Sequence, residues 1–206
     1  MGRVLPILFN IDMVRAILDG RKTVTRRLVK PQPESFGKAY IYKGAICSEN
    51  GLIKEASYQP GDIMYVRETW GEGYEDGIYI YKADDKIENL PAFKKSSNMI
   101  YRPSIHMPKE AARIWLKVTN VRVEQLQEIT PEQILKEGAN PEAIRHYIKQ
   151  MPEETAEWIY AAYKVEFQQL WNSTIKKSDL DNYGWDANPW VWVIQFERCE
   201  KPKEVL

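Results

Sequence analysis

Histidine and cysteine are scarce in this chain of 206 residues, with two of each. That scarcity removes several kinds of chemistry at once. His106 and His146 do not make a histidine-rich metal centre, and Cys47 and Cys199 are far apart with no Cys-x-x-Cys pair. A structural zinc site and a disulfide framework are therefore not expected. Nothing marks an acidic magnesium site either, so no metal or other cofactor is expected. An excess of one charge is missing too: 29 basic side chains balance 29 acidic ones. The chain thus lacks the overall positive field of bulk nucleic-acid binders, and any contact with RNA has to be local. No apolar run approaches the roughly 20 residues that a membrane helix needs. With no signal-peptide pattern in the first residues, a cytoplasmic location is expected. Repeats and low-complexity tracts are absent.

What the chain has instead is a dense cluster of reactive groups at 20–27. Gly20, Arg21, Lys22, Thr23, Val24, Thr25, Arg26 and Arg27 put one amine, two hydroxyls and three guanidinium groups into eight residues. The cluster follows a predicted amphipathic helix. Asn10 is its N-cap, Met13, Val14, Ile17 and Leu18 form its apolar stripe, and Gly20 suits its C-terminal stop. The β-branched Thr23, Val24 and Thr25 then favour extended chain. Alternation would put Lys22 and Arg26 on one face and Thr23, Thr25 and Arg27 on the other, unless a turn near Lys22 rotates it. On charge alone such a run is a solvated surface that complements a helix dipole.

The remaining pattern predicts an α+β protein, with strands and a few helices but no repeated βαβ unit. Residues 4–9 are a β-prone segment whose Pro6 suits an edge. Residues 40–42 and 45–47 are possible hairpin arms, and the turn Pro60-Gly61-Asp62 launches an interior strand over 63–68. A strand is predicted over 78–82, then a mobile excursion over 83–95. A long strand over 112–123 has room for a bulge near Thr119-Asn120. Thr130, Pro131 and Gln133 mark a capped short helix over 131–137, ended by Gly138. Helices are predicted over 141–151 and 153–174, the second with a broad apolar face carrying Trp158, Phe167 and Trp171. An alternating strand over 191–199 closes the sheet.

Gly20, Lys22 and Arg27 stand at the spacing G-x-K-x-x-x-x-R, which resembles the signature of the ASCH-domain family, a branch of the PUA-like β-barrels. The likeness extends to the helix at 10–19, to 61–70 (GDIMYVRETW), to the strand at 112–123 and to 188–196 (NPWVWVIQF). These last segments are similar to the larger, phage-associated ASCH proteins. The resemblance implies one ASCH domain over 1–206, a small mixed PUA-like barrel with peripheral helices. Insertions then fall at about 30–59, 83–100 and 139–188, the last one helical and able to meet a protein partner.

Two functional classes follow from the resemblance. Some small family members are amidohydrolases that remove the acyl group from N4-acetylcytidine with a lysine, a threonine and a glutamate. Lys22 and Thr25 match the Lys-x-x-Thr part, and Glu68 at the end of the 63–68 strand is the matching carboxylate. A threonine hydroxyl attacks only when a base takes its proton, and lysine serves only when burial or neighbouring cations lower its pKa from about 10.4. Arg21, Arg26 and Arg27 would supply such charge. The other class is recognition without chemistry, a nucleoside, modified base or RNA element held on aromatics and cations. Arg67, Trp70, His106 and Trp190 join Gly20, Arg21, Thr23, Arg26 and Arg27 as its ligand-binding residues, with core packing the default for each aromatic. Arg67 and Glu68 are expected to form an ion pair with each other. A ribonuclease activity and a prophage accessory role with a degenerate pocket are the further family possibilities.

Overall fold

The computed structural model describes residues 2–32, 40–42, 45–48, 51–73, 78–86, 100–153 and 155–203. Its strands are β1 (Val4–Leu8), β2 (Val24–Leu28), β3 (Tyr40–Tyr42), β4 (Ala45–Ser48), β5 (Gly51–Lys54), β6 (Ile63–Arg67), β7 (Trp70–Glu72), β8 (Tyr79–Tyr81), β9 (Trp115–Gln125) and β10 (Trp190–Cys199). Its helices are α1 (Ile11–Leu18), α2 (Pro131–Lys136), α3 (Pro141–Gln150), α4 (Ala156–Thr174) and α5 (Leu180–Tyr183). The mixture is the α+β class that the sequence pattern predicts. The chain divides into two compact units, Met1–Gly20, Pro60–Thr119 and Phe196–Leu206 in the first, and Arg21–Gln59 and Asn120–Gln195 in the second. The long strands β9 and β10 each pass through both.

In the first unit the hydrogen-bonded order is β1, β6, β9. β1 runs parallel to β6, and β6 antiparallel to β9. Pro6 therefore sits in an edge strand, where its missing N–H costs least. β6 is the interior strand expected over 63–68, and its middle residues Met64, Tyr65 and Val66 are buried. Asn10 caps α1 by accepting from the Met13 amide at 2.9 Å, and Gly20 ends the turn with φ of 74°. Only glycine takes that backbone at little cost. Tyr65, Trp70, Met107, Ala112 and Trp115 form a buried aromatic-rich cluster. The strand predicted over 78–82 is shorter, because Lys82–Lys86 winds into a 3-10 turn. Most of the predicted excursion over 83–95 lies outside the described residues.

The second unit carries the order β9, β10, β2, with β2 antiparallel to β10 so that Thr25 faces Ile194 and Arg27 faces Trp192. β3 and β4 pair as the expected hairpin, and β5 extends it. Strand β9 runs without a break through Thr119-Asn120, but both residues are exposed, so the in-out alternation slips there. Thr130 and Gln133 form the predicted capping box of α2, and Gly138 leaves that helix with φ of 88°. Asn140 and Thr155 cap α3 and α4 by single bonds, their side chains accepting from the Glu142 and Trp158 amides. Helix α4 starts three residues later than expected, and its apolar face is narrower. It buries Ala162, Phe167 and Trp171, whereas Trp158 remains 42 % exposed. Val24, Leu126, Ile134, Phe167, Trp171, Trp185, Val191 and Val193 make up the core of this unit.

Candidate functional site

β2 begins one residue after Thr23, and both of its faces are covered: Val24, Thr25 and Arg26 are all buried. The simple alternation expected for this run fails because the strand is covered on both sides. Lys22 stands just before the strand, and its side chain has no solvent exposure. The Nζ donates at 2.8 Å to the Val24 carbonyl, to the Glu137 carbonyl and to Glu137 Oε2. Burial holds the amine below the ordinary lysine range, with the Arg27 and Arg26 charges acting the same way and Glu137 opposing them.

Glu137 is the hub of the site. Its Oε1 accepts from Arg26 Nη1 at 2.9 Å while Oε2 holds Lys22, so one buried carboxylate bridges two buried cations. Arg26 reaches further, to Gln133 Oε1 at 2.8 Å and to Glu124 in a short contact. Arg122 in turn donates to Glu124 at 3.0 Å. The Arg26 guanidinium also lies 5.9 Å from the centroid of the Phe167 ring, and its Nε is buried with no partner among the described residues. Lys22 and Arg26 come together through the Glu137 carboxylate and not by sharing a strand face, since Lys22 precedes β2. Arg27 is half-buried, and burial lowers its pKa while Tyr58 and Glu137 oppose the shift. Burial raises the Tyr58 phenol and Arg27 opposes it.

Other predicted residues of this unit support the same corner. Arg21 Nη1 donates to the Gly138 carbonyl at 3.3 Å, and the Thr23 amide donates to the Lys136 carbonyl at 2.8 Å. Both contacts tie the cationic run to the end of α2. Trp190 is half-buried at the start of β10, where its amide donates to Gln32 Oε1 and its carbonyl accepts from Val29 and Gln32.

Gly20, Glu68, Arg67, Trp70 and His106 belong to the first unit. Glu68 is 1 % exposed and is held in a fork by Arg113, whose Nε and Nη2 each donate to it at 2.9 Å. Arg113 Nη1 donates to Asp84, also at 2.9 Å, so one guanidinium serves two buried carboxylates. Burial raises the Glu68 pKa, with Arg113 working against that rise. The Arg113 guanidinium stacks 3.9 Å from the Tyr81 ring centroid, and burial pushes the Tyr81 phenol up to about 12.

The ion pair expected between Arg67 and Glu68 is therefore corrected: the partner of Glu68 is Arg113. Consecutive residues leaving a strand point to opposite sides, and Arg67 instead donates to the Ile105 carbonyl at 3.3 Å beside the Tyr65 ring. Trp70 is buried, edge-on to Tyr79 at 5.7 Å with Arg102 over its ring at 5.3 Å, which fits the core default for aromatics. His106 is exposed on a 3-10 turn.

The sequence reading missed Glu137, Glu124 and Gln133. A signal for Glu137 was present. It occupies the C-cap of α2, where a carboxylate opposes the negative end of the helix dipole unless a cation compensates it. The neighbouring run of cations had no acid of its own.

No protein-family model matches the chain, and no curated protein matches it. Among solved structures it is similar to the high-resolution crystal structure of an ASCH domain from Lactobacillus crispatus JV V101. The match covers 95 % of this chain and 79 % of that one, with 11 % identity and a TM-score of 0.39. A likeness of that size carries no inference about fold or activity. No described helix is long and apolar enough to cross a membrane, and the described residues contain no group of three or more potential metal ligands.

Proposed function

We propose that the chain is an ASCH-type protein with a PUA-like barrel that binds a nucleoside or RNA element, and that it hydrolyses the N-acyl group of an N4-acylated cytidine. Lys22, Thr25 and Glu137 form the reacting set in this reading. Glu137, which touches Lys22, takes the carboxylate role in place of Glu68, which is paired with Arg113. The observation that carries the proposal is the wholly buried Lys22 amine, its pKa lowered by desolvation, with a carboxylate oxygen at 2.8 Å and a buried threonine three residues on.

Lys22 passes a proton to Glu137 and, as a neutral amine, takes the proton of the Thr25 hydroxyl. The threonine oxygen attacks the amide carbon, and Arg27 and nearby backbone amides stabilise the oxyanion. Breaking of the C–N bond releases cytidine with the proton from Lys22, and water then cleaves the ester on Thr25. The sum is amide plus water to carboxylic acid plus amine.

A second reading has one observation in its favour. Val24 O, Glu137 O and Glu137 Oε2 accept from Nζ at the same 2.8 Å, which is a full set of acceptors for a lysine that stays charged. Such an ammonium braces a binding surface and does no proton transfer.

Chromatography of N4-acetylcytidine incubated with the full chain, beside Thr25→Val, separates the two. Cytidine formed by the parent and lost in the near-isosteric variant supports hydrolysis. Salt-dependent oligonucleotide binding with no cytidine from folded protein supports binding alone. Undiminished turnover in Thr25→Val removes the assigned nucleophile.

A further inference from the structure

Among the tryptophans of the chain Trp158, near the start of α4, is the exposed one at 42 %, while the other six are buried or half-buried. The whole first turn of that helix is open: Ala156, Glu157, Trp158 and Ile159 are all exposed. Other sides of α4 are taken. Ala162, Phe167 and Trp171 are buried, Glu166 accepts from the Asn140 amide at the cap of α3, and Gln169 accepts from the Tyr147 hydroxyl on α3. Helical spacing makes a stripe of what is left. Ala161 lies at its centre. Glu157 and Lys164 flank Ala161 on one side and Trp158 and Val165 on the other, because the members of each pair are about two helical turns apart. Lys164 Nζ stands 4.4 Å from the Tyr160 ring centroid, on the same flank as Glu157.

We infer that this stripe is a self-association surface, on which α4 of a second copy of the chain packs antiparallel about a two-fold axis at Ala161. In such a pair a residue before Ala161 lies across from the residue equally far after it, so Glu157-Trp158 of one copy meets Lys164-Val165 of the other. The two-fold also keeps each flank on its own side. Glu157 therefore faces Lys164 of the second copy and Trp158 faces Val165, and each contact is made twice. Charge and apolar surface are thus ordered so that the stripe complements itself, an order that a partner of another kind does not require. Ala161, with no side chain beyond Cβ, lets the two helices approach to about 8 Å. Trp158 loses its open surface against Val165 and is the anchor of the interface. None of the Lys22 corner takes part, so association and hydrolysis stand or fall separately.

The test is sedimentation of the full chain over about 1 to 300 μM, the range in which a small, single-helix interface associates. The average mass should rise towards that of two chains. Trp158→Ala, which removes an exposed side chain, should weaken the association at least about tenfold. Glu157→Lys and Lys164→Glu each set like charges against one another twice, and each should weaken it about tenfold. An equimolar mixture of those two variants restores both opposite-charge pairs, so it should associate more tightly than either variant alone, and the chain carrying both substitutions should recover as well. A defect of folding in one variant does not produce that rescue. A single-chain mass at every concentration, undiminished association in Trp158→Ala, or a mixture no tighter than its components would each overturn the inference.

Discussion

Removing the Glu137 carboxylate is the perturbation whose cost the geometry fixes most directly. The group bridges Lys22 and Arg26, whose side chains are 0 % and 1 % exposed, at 2.8 and 2.9 Å. In Glu137→Ala both cations lose an acceptor in a place where water does not replace it. Arg26 retains Glu124 and Gln133, whereas Lys22 is left with carbonyl oxygens. Breaking a buried pair from one side costs about 3 to 5 kcal/mol. For a chain of this size that corresponds to a fall in Tm of about 6 to 20 °C.

A pH signature separates this loss from a mere packing defect. The Lys22 amine is already held below its ordinary value of 10.5 by burial, and Glu137 is the principal influence opposing that shift. Without Glu137 the folded-state value drops further. The folded chain then binds fewer protons than the unfolded chain between that lowered value and 10.5, so its stability rises with pH across that interval. The deficit of Glu137→Ala should therefore shrink between pH 7 and pH 10. Urea unfolding followed by circular dichroism at both pH values reads it. Lys22→Met combined with Glu137→Ala should recover part of the loss, because the stranded ammonium is gone. A loss below about 1 kcal/mol, the range of exposed pairs, or a deficit that is the same at both pH values, would refute the reasoning.

Glu68 gives the opposite slope. Its folded pKa is raised above 4.5, so the stability it contributes is complete below that value and declines as pH rises through the folded value. Glu68→Gln should abolish that decline while Asp84 still neutralises Arg113, and parallel pH profiles for the two proteins would count against it. Thr130→Ala removes the side chain that accepts from the Gln133 amide at the start of α2, and a loss of about 0.5 to 2 kcal/mol in chemical unfolding is expected. Because α2 carries Glu137 at its C-cap, the same variant should also weaken the Lys22 corner, visible as faster hydrogen exchange at Thr23, whose amide donates to Lys136. Phe167→Ala empties a site that is 2 % exposed in the core of the second unit, with an expected cost of about 3 to 5 kcal/mol, and a loss under about 1 kcal/mol would mean that the core is loosely packed.

Local signals in the sequence carried most of the elements. The Asn10 cap and Gly20 and the Thr130 and Gln133 box are each written within a few neighbouring residues, and each is observed. The alternation expected of β10 is not: Val191, Trp192, Val193 and Ile194 are all buried, because the strand lies between β9 and β2 instead of closing the sheet. Boundaries shifted where packing intervened, as in α4, where Trp158 fits a helical stripe by spacing yet stays exposed because a period says which residues share a face, not how wide a face is covered. The site was half legible for the same reason. Lys22, Thr25 and Arg26 lie in one short run, but the acid that joins two of them is 115 residues away from Lys22, at the end of a helix whose own pattern explains itself without any reference to the cations. Resemblance placed the carboxylate on Glu68 because it ends a recognisable strand, and Glu68 is indeed buried and ionically bound, though to Arg113. Both glutamates satisfy the same elementary demand, that a buried carboxylate be paired. The demand can be read from a sequence, since Glu137 sits at a helix end that repels it and the cationic run lacks an acid. The pairing itself is decided by the fold, which sets the end of α2 against the segment at 21–23 through Arg21 to Gly138 and Thr23 to Lys136, contacts that no local pattern announces.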